Sequence, residues 1–478
     1  MTDKTRFSLT PDQQNAIDGI IDDIQKPAAR IVLCGYAGTG KTVTTAALVS
    51  RLHEEGLCVA VATPTHKARS QVEKALSNYG ATGFNCVTVH RLLGLKQVRD
   101  YKTGKESFKP DSHGKNMLAD GFSGCVYEDY LRERQFYESW TEYKKQHAIK
   151  IDVVIVDETS MLHKELYDYL IQEAGSRPIV FVGDDRQLLP VKEDKVCEAF
   201  VDCESIYRLT KVLRHDGVIL NLATATRKLP IGRARFDSCS GGGSRVMAYC
   251  RRDEWMNSLL DVMCSPEALA NPDYCRALAF TNKAVEDMNQ KIHFKRYGIN
   301  ADQFIPGMGC ITVDAIPDPT GGAPLLNSTI EISIHEAEVD FFKAPHDERD
   351  WARLKTWLLV VSSFDSDKKV QIRVLDREYE KQWKERQNYF ASSAKQCKDL
   401  AERKEWWSMF FERKDQIGKV EPISALTIHK SQGSTFKHVF LHWSIDGWSS
   451  TPTSLQNQLA YVGITRASDS LHVLKDWV

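Results

Sequence analysis

Short apolar runs alternate with amphipathic stretches along the first part of the chain. Thr10 followed by Pro11 reads as a helix start, with the helix running towards Ile24. Arg30 to Cys34 is a compact apolar strand, Gly35 to Gly40 a glycine loop, Thr42 to Leu52 a helix, and Cys58 to Ala62 another strand. Two further apolar runs, Ile151–Val156 and Ile179–Val182, follow the same plan. Strands that stay apolar without alternating are buried on both faces. Separated by helical segments, they predict a parallel sheet covered on each side.

The pattern breaks between Thr88 and Lys150. Basic residues outnumber acidic ones from Arg91 to Lys115, and Tyr101–Phe108 reads as a hairpin turning near Thr103-Gly104. Asp129–Lys145 reads as a charged, aromatic, solvated helix. Ser238 to Ser244 is a Gly/Ser stretch expected to be a flexible loop. A second α/β pattern resumes at Ala277–Phe280, and Gly307–Ser333, rich in Pro, Gly and β-formers, predicts a small β domain. Residues 376–419 mix both charge signs on a helical period, which predicts a solvated face.

Composition narrows the function classes. At 478 residues, the chain is long enough for about three domains. Lys plus Arg is 63 against 64 Asp plus Glu, a net charge of −1, which excludes nucleic-acid binding by bulk positive charge but leaves room for a local basic groove. No apolar run reaches the length of a membrane span, and the N-terminus has no signal-peptide core. The 12 cysteines are scattered without a C-x-x-C pair or zinc spacing, so a reducing cytoplasm is expected.

The chemistry concentrates first at Gly35-Tyr-Ala-Gly38-Thr39-Gly40-Lys41-Thr42, with a strand before it and a helix after it. Glycines let backbone N–H groups turn inwards around phosphate oxygens, and the helix N-terminus adds its positive end. Lys41 is the candidate for the β- and γ-phosphates and Thr42 for Mg²⁺. Asp157 and Glu158 end a buried strand. There Asp157 would hold Mg²⁺ through water and Glu158 would take a proton from the attacking water. ATP hydrolysis with Mg²⁺ is the expected reaction.

Kinases and small GTPases share this loop, so the remaining motifs decide. Thr63-Pro64-Thr65-His66 follows the second strand, and Val87-Thr-Val-His90 comes later. Gly183-Asp-Asp-Arg-Gln187 ends the fourth strand, with Leu209-Thr-Lys-Val-Leu-Arg214 beyond it. Near the C-terminus come Thr427-Ile-His429-Lys430-Ser-Gln-Gly433 and Tyr461-Val-Gly-Ile-Thr-Arg466. In this order, with Gln13 in the leading Leu-Thr-Pro-Asp-Gln, they resemble the motifs of superfamily 1 helicases. The His-Lys-Ser-Gln-Gly form is similar to that of the Dda-type phage helicases, in the RecD- and Dda-like 5′→3′ group. The chain departs from that pattern by extra sequence around Asp111–Lys145 and different text around Gly307–Asn327.

The resemblance implies an α/β fold of two RecA-like P-loop domains with parallel sheets. The first, residues 1–87 and 126–205, would carry a β-hairpin (pin) insertion at 88–125. The second, 206–295 and 424–478, would carry a small SH3-like β plus helical tower insertion at 296–423. It implies that Lys41, Thr42, Asp157, Glu158 and Gln187 act on ATP from one domain and Arg214 and Arg466 from the other, with Gln13 on the adenine. It places single-stranded DNA on Thr63, Pro64, Thr65, His66, His90, Thr427, His429 and Lys430. By position Phe108 resembles the wedge that parts a duplex, and Trp407 and Phe411, one helical turn apart, resemble the aromatics that brace the pin. Single-stranded and forked DNA, with replisome or single-strand-binding proteins, are the implied partners. The implied setting is a monomer in the cytoplasm of a phage's bacterial host, in replication or recombination.

Three alternatives stay open on the residues alone. An ATP-gated DNA-binding or loading factor would use the same ATP site without strong unwinding. A nuclease-helicase needs a second acidic metal cluster, which the sequence does not display. An RNA helicase is compatible, because no residue discriminates the 2′-hydroxyl.

Overall fold

The computed structural model of the chain describes residues 9–36, 38–81, 84–110, 116–120, 150–188, 196–211, 217–228, 236–318, 324–445 and 453–475. The stretch Asp129–Lys145, expected to be helical, lies outside them. By proximity the chain forms two units: Met1–Gln97 with Phe108–Asp216, and Val98–Ser107 with Gly217–Val478. Among the described residues no helix is long and apolar enough to cross a membrane.

The first unit starts with helix α1 (Pro11–Asp23), where Thr10 and Gln13 form a reciprocal capping box. Strand β1 (Arg30–Gly35), helix α2 (Lys41–Glu54), β2 (Val59–Thr63), α3 (His66–Tyr79), β3 (Phe84–Thr88) and the short α4 (Val89–Leu92) follow. Strands β4 (Leu95–Asp100) and β5 (Lys105–Pro110) pair as a two-stranded hairpin. After α5 (Met117–Asp120) come β6 (Val153–Val156), α6 (Lys164–Ala174), β7 (Ile179–Gly183) and β8 (Ser205–Leu209). The sheet runs β3-β2-β6-β7-β1-β8 with every described pairing parallel. Successive residues serve opposite faces. Ile31, Leu33, Val153 and Ile155 join one core, while Val32, Cys34, Val154 and Val156 join the other. Two-sided burial is why these strands carry no polar alternation.

Two expected boundaries shift. The first unit does not end at 205, because β8 pairs with β1, and the Tyr207 hydroxyl donates to Asp23 on α1 at 2.8 Å. A lone strand does not announce which sheet it will join. The insertion does not begin at 88 either, since Val89, Leu92, Met117 and Leu118 are buried in the first unit's core.

The second unit has β9 (Cys239–Gly241) and β10 (Ser244–Tyr249) after helix α7 (Val218–Lys228). The Gly/Ser stretch expected to be flexible is therefore a β-hairpin. Gly242 and Gly243, both at positive φ, make its turn, and β10 is held from the other side by a parallel strand. Helices α8 (Arg252–Met263) and α9 (Pro266–Ala270), strand β11 (Cys275–Ala279) and helix α10 (Asn282–Tyr297) come next. An inserted sheet of β12 (Gly309–Thr312), β13 (Glu331–Phe342), β14 (Leu354–Ser363), β15 (Val370–Leu375) and β16 (Val420–Pro422) is antiparallel, in the order β15-β14-β13-β12-β16. Helices α11 (Glu380–Gln396) and α12 (Leu400–Lys414) form a pair between β15 and β16. The chain then completes its main sheet with β17 (Ala425–Thr427), β18 (Phe436–Leu441), helix α13 (Thr453–Ile464) and β19 (Ala467–Leu474). That sheet runs β17-β11-β18-β19-β10-β9, parallel except at β9.

The mixed-charge stretch 376–419 is less solvated than its composition predicts. Arg386 and Arg413 are buried, as are Phe390, Trp407 and Phe411. Asp347, from the loop after β13, bonds both arginines.

Candidate functional site

Strands β1, β6 and β7 are neighbours in the first sheet, and their C-terminal ends deliver the acid, base and phosphate-loop residues to one edge. That edge is where open α/β sheets bind ligands. Gly38 and Gly40 both have left-handed φ, 84° and 80°, which costs a residue with a Cβ about 1–2 kcal/mol. A Cβ at Gly35 would crowd the Thr39 hydroxyl, which donates to the Tyr36 carbonyl at 2.8 Å. Lys41 opens α2 and folds back, its Nζ donating to the Gly35 and Tyr36 carbonyls at 2.9 and 3.2 Å. Phosphate oxygens are stronger acceptors for an ammonium than these carbonyls. Thr42 follows on the first turn of α2.

Asp157 is buried at the end of β6 and accepts the Glu158 N–H at 2.7 Å. Burial and the neighbouring Glu158 charge push its carboxyl up, while Lys41 pulls it down. Glu158 has a left-handed φ of 54°, and its buried Oε2 has no hydrogen-bond partner among the described residues. A strained, unsatisfied carboxylate at a strand end is a poor structural element and a good acceptor for an incoming group. Gln187 is buried on the turn after β7, its N–H bonded to the Asp184 carbonyl at 3.2 Å. Gln13, expected on adenine, has both ends of its amide engaged within the unit. Nε2 donates to the Thr39 carbonyl at 3.1 Å, and Oε1 accepts from the Thr10 N–H at 2.9 Å. It ties α1 to the phosphate loop, so an adenine contact requires those bonds to exchange. Arg214 lies outside the described residues.

The same edge, further along at β2 and β3, collects the first set of candidate DNA contacts. Strands β2 and β3 end side by side, with Thr63 opposite Thr88. The Thr63 hydroxyl donates to the Thr65 carbonyl at 3.0 Å, with Pro64 between them. Thr65 caps α3, whose first turn carries no acid, and Thr88 caps α4. His66 has its pKa lowered to about 4 by burial and then by the charges of Arg69, His90 and Arg91. His90 is lowered as well, by burial and His163. Neutral imidazoles, hydroxyls and helix N-termini make sequence-blind contacts to phosphate and sugar. The His90 ring lies 4.2 Å from that of Phe108, which is 53% exposed.

The second unit repeats this arrangement. Its order β17-β11-β18-β19-β10 corresponds to β3-β2-β6-β7-β1, so the ends of β11 and β17 occupy the places of β2 and β3. Thr427, next to Ala279 across that pair, accepts the Lys430 N–H at 3.3 Å. Burial lowers the His429 pKa. Lys430 forms a 2.6 Å ion pair with Glu421. Sequence reasoning missed Thr281, which caps α10 as Thr65 caps α3, again with no acid in the first turn. Its signal was legible: a Thr between an apolar strand and an amphipathic helix. Arg466 is buried and fastened within its own unit. Its guanidinium donates to the Val462 and Ser434 carbonyls, both at 3.1 Å, and to the Thr465 hydroxyl at 3.0 Å.

The hairpin turn is seated on α12. Asp100 closes the turn by accepting from the Lys102 N–H at 2.9 Å and the Thr103 hydroxyl at 2.7 Å. Gly104, at φ 70°, lies flat on the Trp407 ring, where any Cβ would overlap the indole. Tyr101 meets Phe411 edge-on at 5.7 Å. Arg99 forks onto Asp415 with two 2.6 Å bonds, and its guanidinium carbon stands 4.6 Å above the Phe411 ring. Glu106 receives Arg99 at 3.1 Å and Lys414 at 2.6 Å. A two-stranded hairpin is marginal alone; here its turn is fixed by two aromatic contacts and two ion pairs to one helix end.

Residues 8–243 match the family described as AAA domain, and residues 422–474 match the UvrD-like helicase C-terminal domain. The chain is similar to the ATP-dependent DNA helicase dda of Enterobacteria phage T4, 26% identical over 96% of this chain and 97% of that protein. It is also similar to the RecBCD enzyme subunit RecD of Haemophilus influenzae, 23% identical over 93% of this chain and 66% of that one. Among solved structures, the Pif1 helicase from Candida albicans aligns over 98% of this chain and 94% of that chain at 15% identity, with a TM-score of 0.45.

Proposed function

We infer that this chain is a superfamily 1 helicase of the RecD and Dda group: an ATP-dependent DNA helicase that moves 5′→3′ along single-stranded DNA and unwinds duplex DNA. The observation that carries the reading is the phosphate loop with Lys41, Asp157 and Glu158 at the C-terminal edge of one sheet, with a Thr-capped helix line further along that edge. Similarity to dda over nearly the whole chain supports it.

ATP is the substrate whose triphosphate the loop wraps. Lys41 exchanges its carbonyl partners for phosphate oxygens, and Glu158 orients and deprotonates the attacking water. Asp157 and Thr42 fit Mg²⁺ by their chemistry: a buried carboxylate and a hydroxyl suit an ion that keeps waters and phosphates as its other ligands. When bound, that ion would neutralise charge developing on the phosphates. In each unit a line of Thr, His and helix N-termini grips sugar and phosphate without reading bases. Thr63, Pro64, Thr65, His66 and His90 form one line, and Thr281, Thr427, His429 and Lys430 the other. The setting we propose is a phage-encoded monomer acting in its host's cytoplasm, at single-stranded and forked DNA.

Strand displacement on duplexes tailed at one end only tests the reading. A 5′ tail supports unwinding and a 3′ tail does not. An ATPase that binds single strands and displaces neither substrate would instead make the chain a loading factor.

Phe108 is the proposed wedge, because it is an exposed aromatic on a hairpin whose turn is anchored. Base–aromatic stacking is worth about 1–3 kcal/mol, enough to offset a DNA stacking step of about 1.4 kcal/mol. Phe108→Ala is expected to keep single-strand-stimulated ATPase and lower the unwinding rate about tenfold. Unwinding at the parent rate places the wedge elsewhere.

A further inference from the structure

Lys430 is proposed above as a contact for the DNA backbone, yet in the structure its ammonium already has an anion. Glu421 Oε2 lies 2.6 Å from Lys430 Nζ, with the two side chains 31% and 20% exposed. The carboxylate comes from β16, the last strand of the inserted sheet, and the ammonium from the turn after β17. The chain between them is clamped. Asn289, buried on α10, donates to the Pro422 and Ala425 carbonyls at 3.1 and 3.0 Å and accepts the Ala425 N–H at 2.8 Å. Buried Arg276 donates to the Ile423 carbonyl. β16 is itself paired to β12, with Ile311 opposite Glu421. Exposed ion pairs are weak largely because two mobile side chains must be ordered and water screens them. Here both backbones are fixed and both side chains are more than half shielded.

A carboxylate and a phosphate diester offer an ammonium the same kind of oxygen. We propose that Glu421 is a built-in substitute for a DNA phosphate: it holds Lys430 when no strand is present, yields it when a strand engages, and competes with the strand for it. This rests on the reading of Lys430 as a backbone contact. One charge-assisted bond replaces another on binding, so this subsite adds specific placement but little net affinity. Release is fast for the same reason, since the leaving phosphate has a waiting replacement. A motor that must let go at every step gains from such a contact; a static binder does not.

The test is equilibrium binding of a thymidine oligonucleotide to the full chain without nucleotide, followed by fluorescence anisotropy through a salt series. Glu421→Gln keeps the size and an acceptor oxygen for Lys430 while removing the competing charge. It is expected to bind about two- to fivefold tighter, the size of one partly screened charge pair. The slope of log affinity against log salt should steepen by about 0.7, for one more phosphate neutralised on a single strand. In a Lys430→Gln background the same change should give no gain. Weaker or unchanged binding by Glu421→Gln overturns the proposal, as does a gain that survives without Lys430, which would mean only general relief of negative charge. A Glu421→Gln, Lys430→Gln double variant that keeps the salt slope of Glu421→Gln alone would instead remove Lys430 from the DNA line, and with it the reading on which the proposal rests.

Discussion

Glu158→Gln is expected to bind ATP and single-stranded DNA like the parent and to turn ATP over about 10²–10⁴-fold more slowly. The substitution keeps the shape and the second oxygen and removes only the basicity. Two carboxylates compete for the role of base, and their surroundings separate them. Asp157 is buried, has one oxygen bonded to the Glu158 N–H, and is driven towards its protonated form by burial and by Glu158 itself. Such a group suits a cation, whose charge would restore the carboxylate. Glu158 holds an oxygen with no partner among the described residues, on a backbone at φ 54° that no residue with a Cβ adopts without strain. Strain of about 1–3 kcal/mol persists only where surrounding structure enforces it. Steady-state phosphate release, beside nucleotide binding by fluorescence, gives both numbers. Near-parent turnover would take the base role from Glu158.

The phosphate loop could be read from residues because every part of it is local: the strand, the glycines, the lysine and the helix lie within one short segment. The same holds for the start of α1, where Thr10, Pro11 and Gln13 settle the cap among themselves. The strain at Glu158 was not legible, since nothing in Asp-Glu states a backbone angle. The Ser238–Ser244 hairpin was not legible either. Its residues are poor strand formers, and pairing of β10 with β19, far along the chain, supplies what they lack. The aromatics Trp383, Phe390, Trp407 and Phe411 within 376–419 carried the warning that this charged stretch has an interior. Counting charges alone passed over it, because a Lys/Arg/Glu mixture has the same composition whether an arginine is solvated or caged.

That cage supports the last expectation: Asp347→Ala should destabilise the helical insertion by about 3–5 kcal/mol and uncouple unwinding from ATP hydrolysis. Asp347 and Arg413 are both 0% exposed, and Arg386 is 6% exposed. One carboxylate thus serves two buried guanidinium groups. Among the described residues Arg413 has little else: its Nη1 also reaches the Pro345 carbonyl at 2.9 Å, while Nε and Nη2 have no hydrogen-bond partner there. The rings of Trp351, Trp383 and Phe390 surround its guanidinium carbon at 4.6–5.8 Å. Removing one member of a buried ion network strands the others, which is far more damaging than replacing the whole network with apolar residues. The consequence travels one residue further. Lys414 and Asp415, which grip Glu106 and Arg99 of the hairpin, directly follow Arg413. Loosening Arg413 therefore loosens the seat of the hairpin turn, while the ATP-binding residues, in the other unit, keep their own contacts. Thermal melting should report the lost stability. Forked-duplex unwinding should fall much further than single-strand-stimulated ATPase measured at a temperature where the variant stays folded. If both activities decline together, the helix pair supports the whole motor rather than its wedge. If melting is unchanged, the buried charges are compensated by groups other than Asp347.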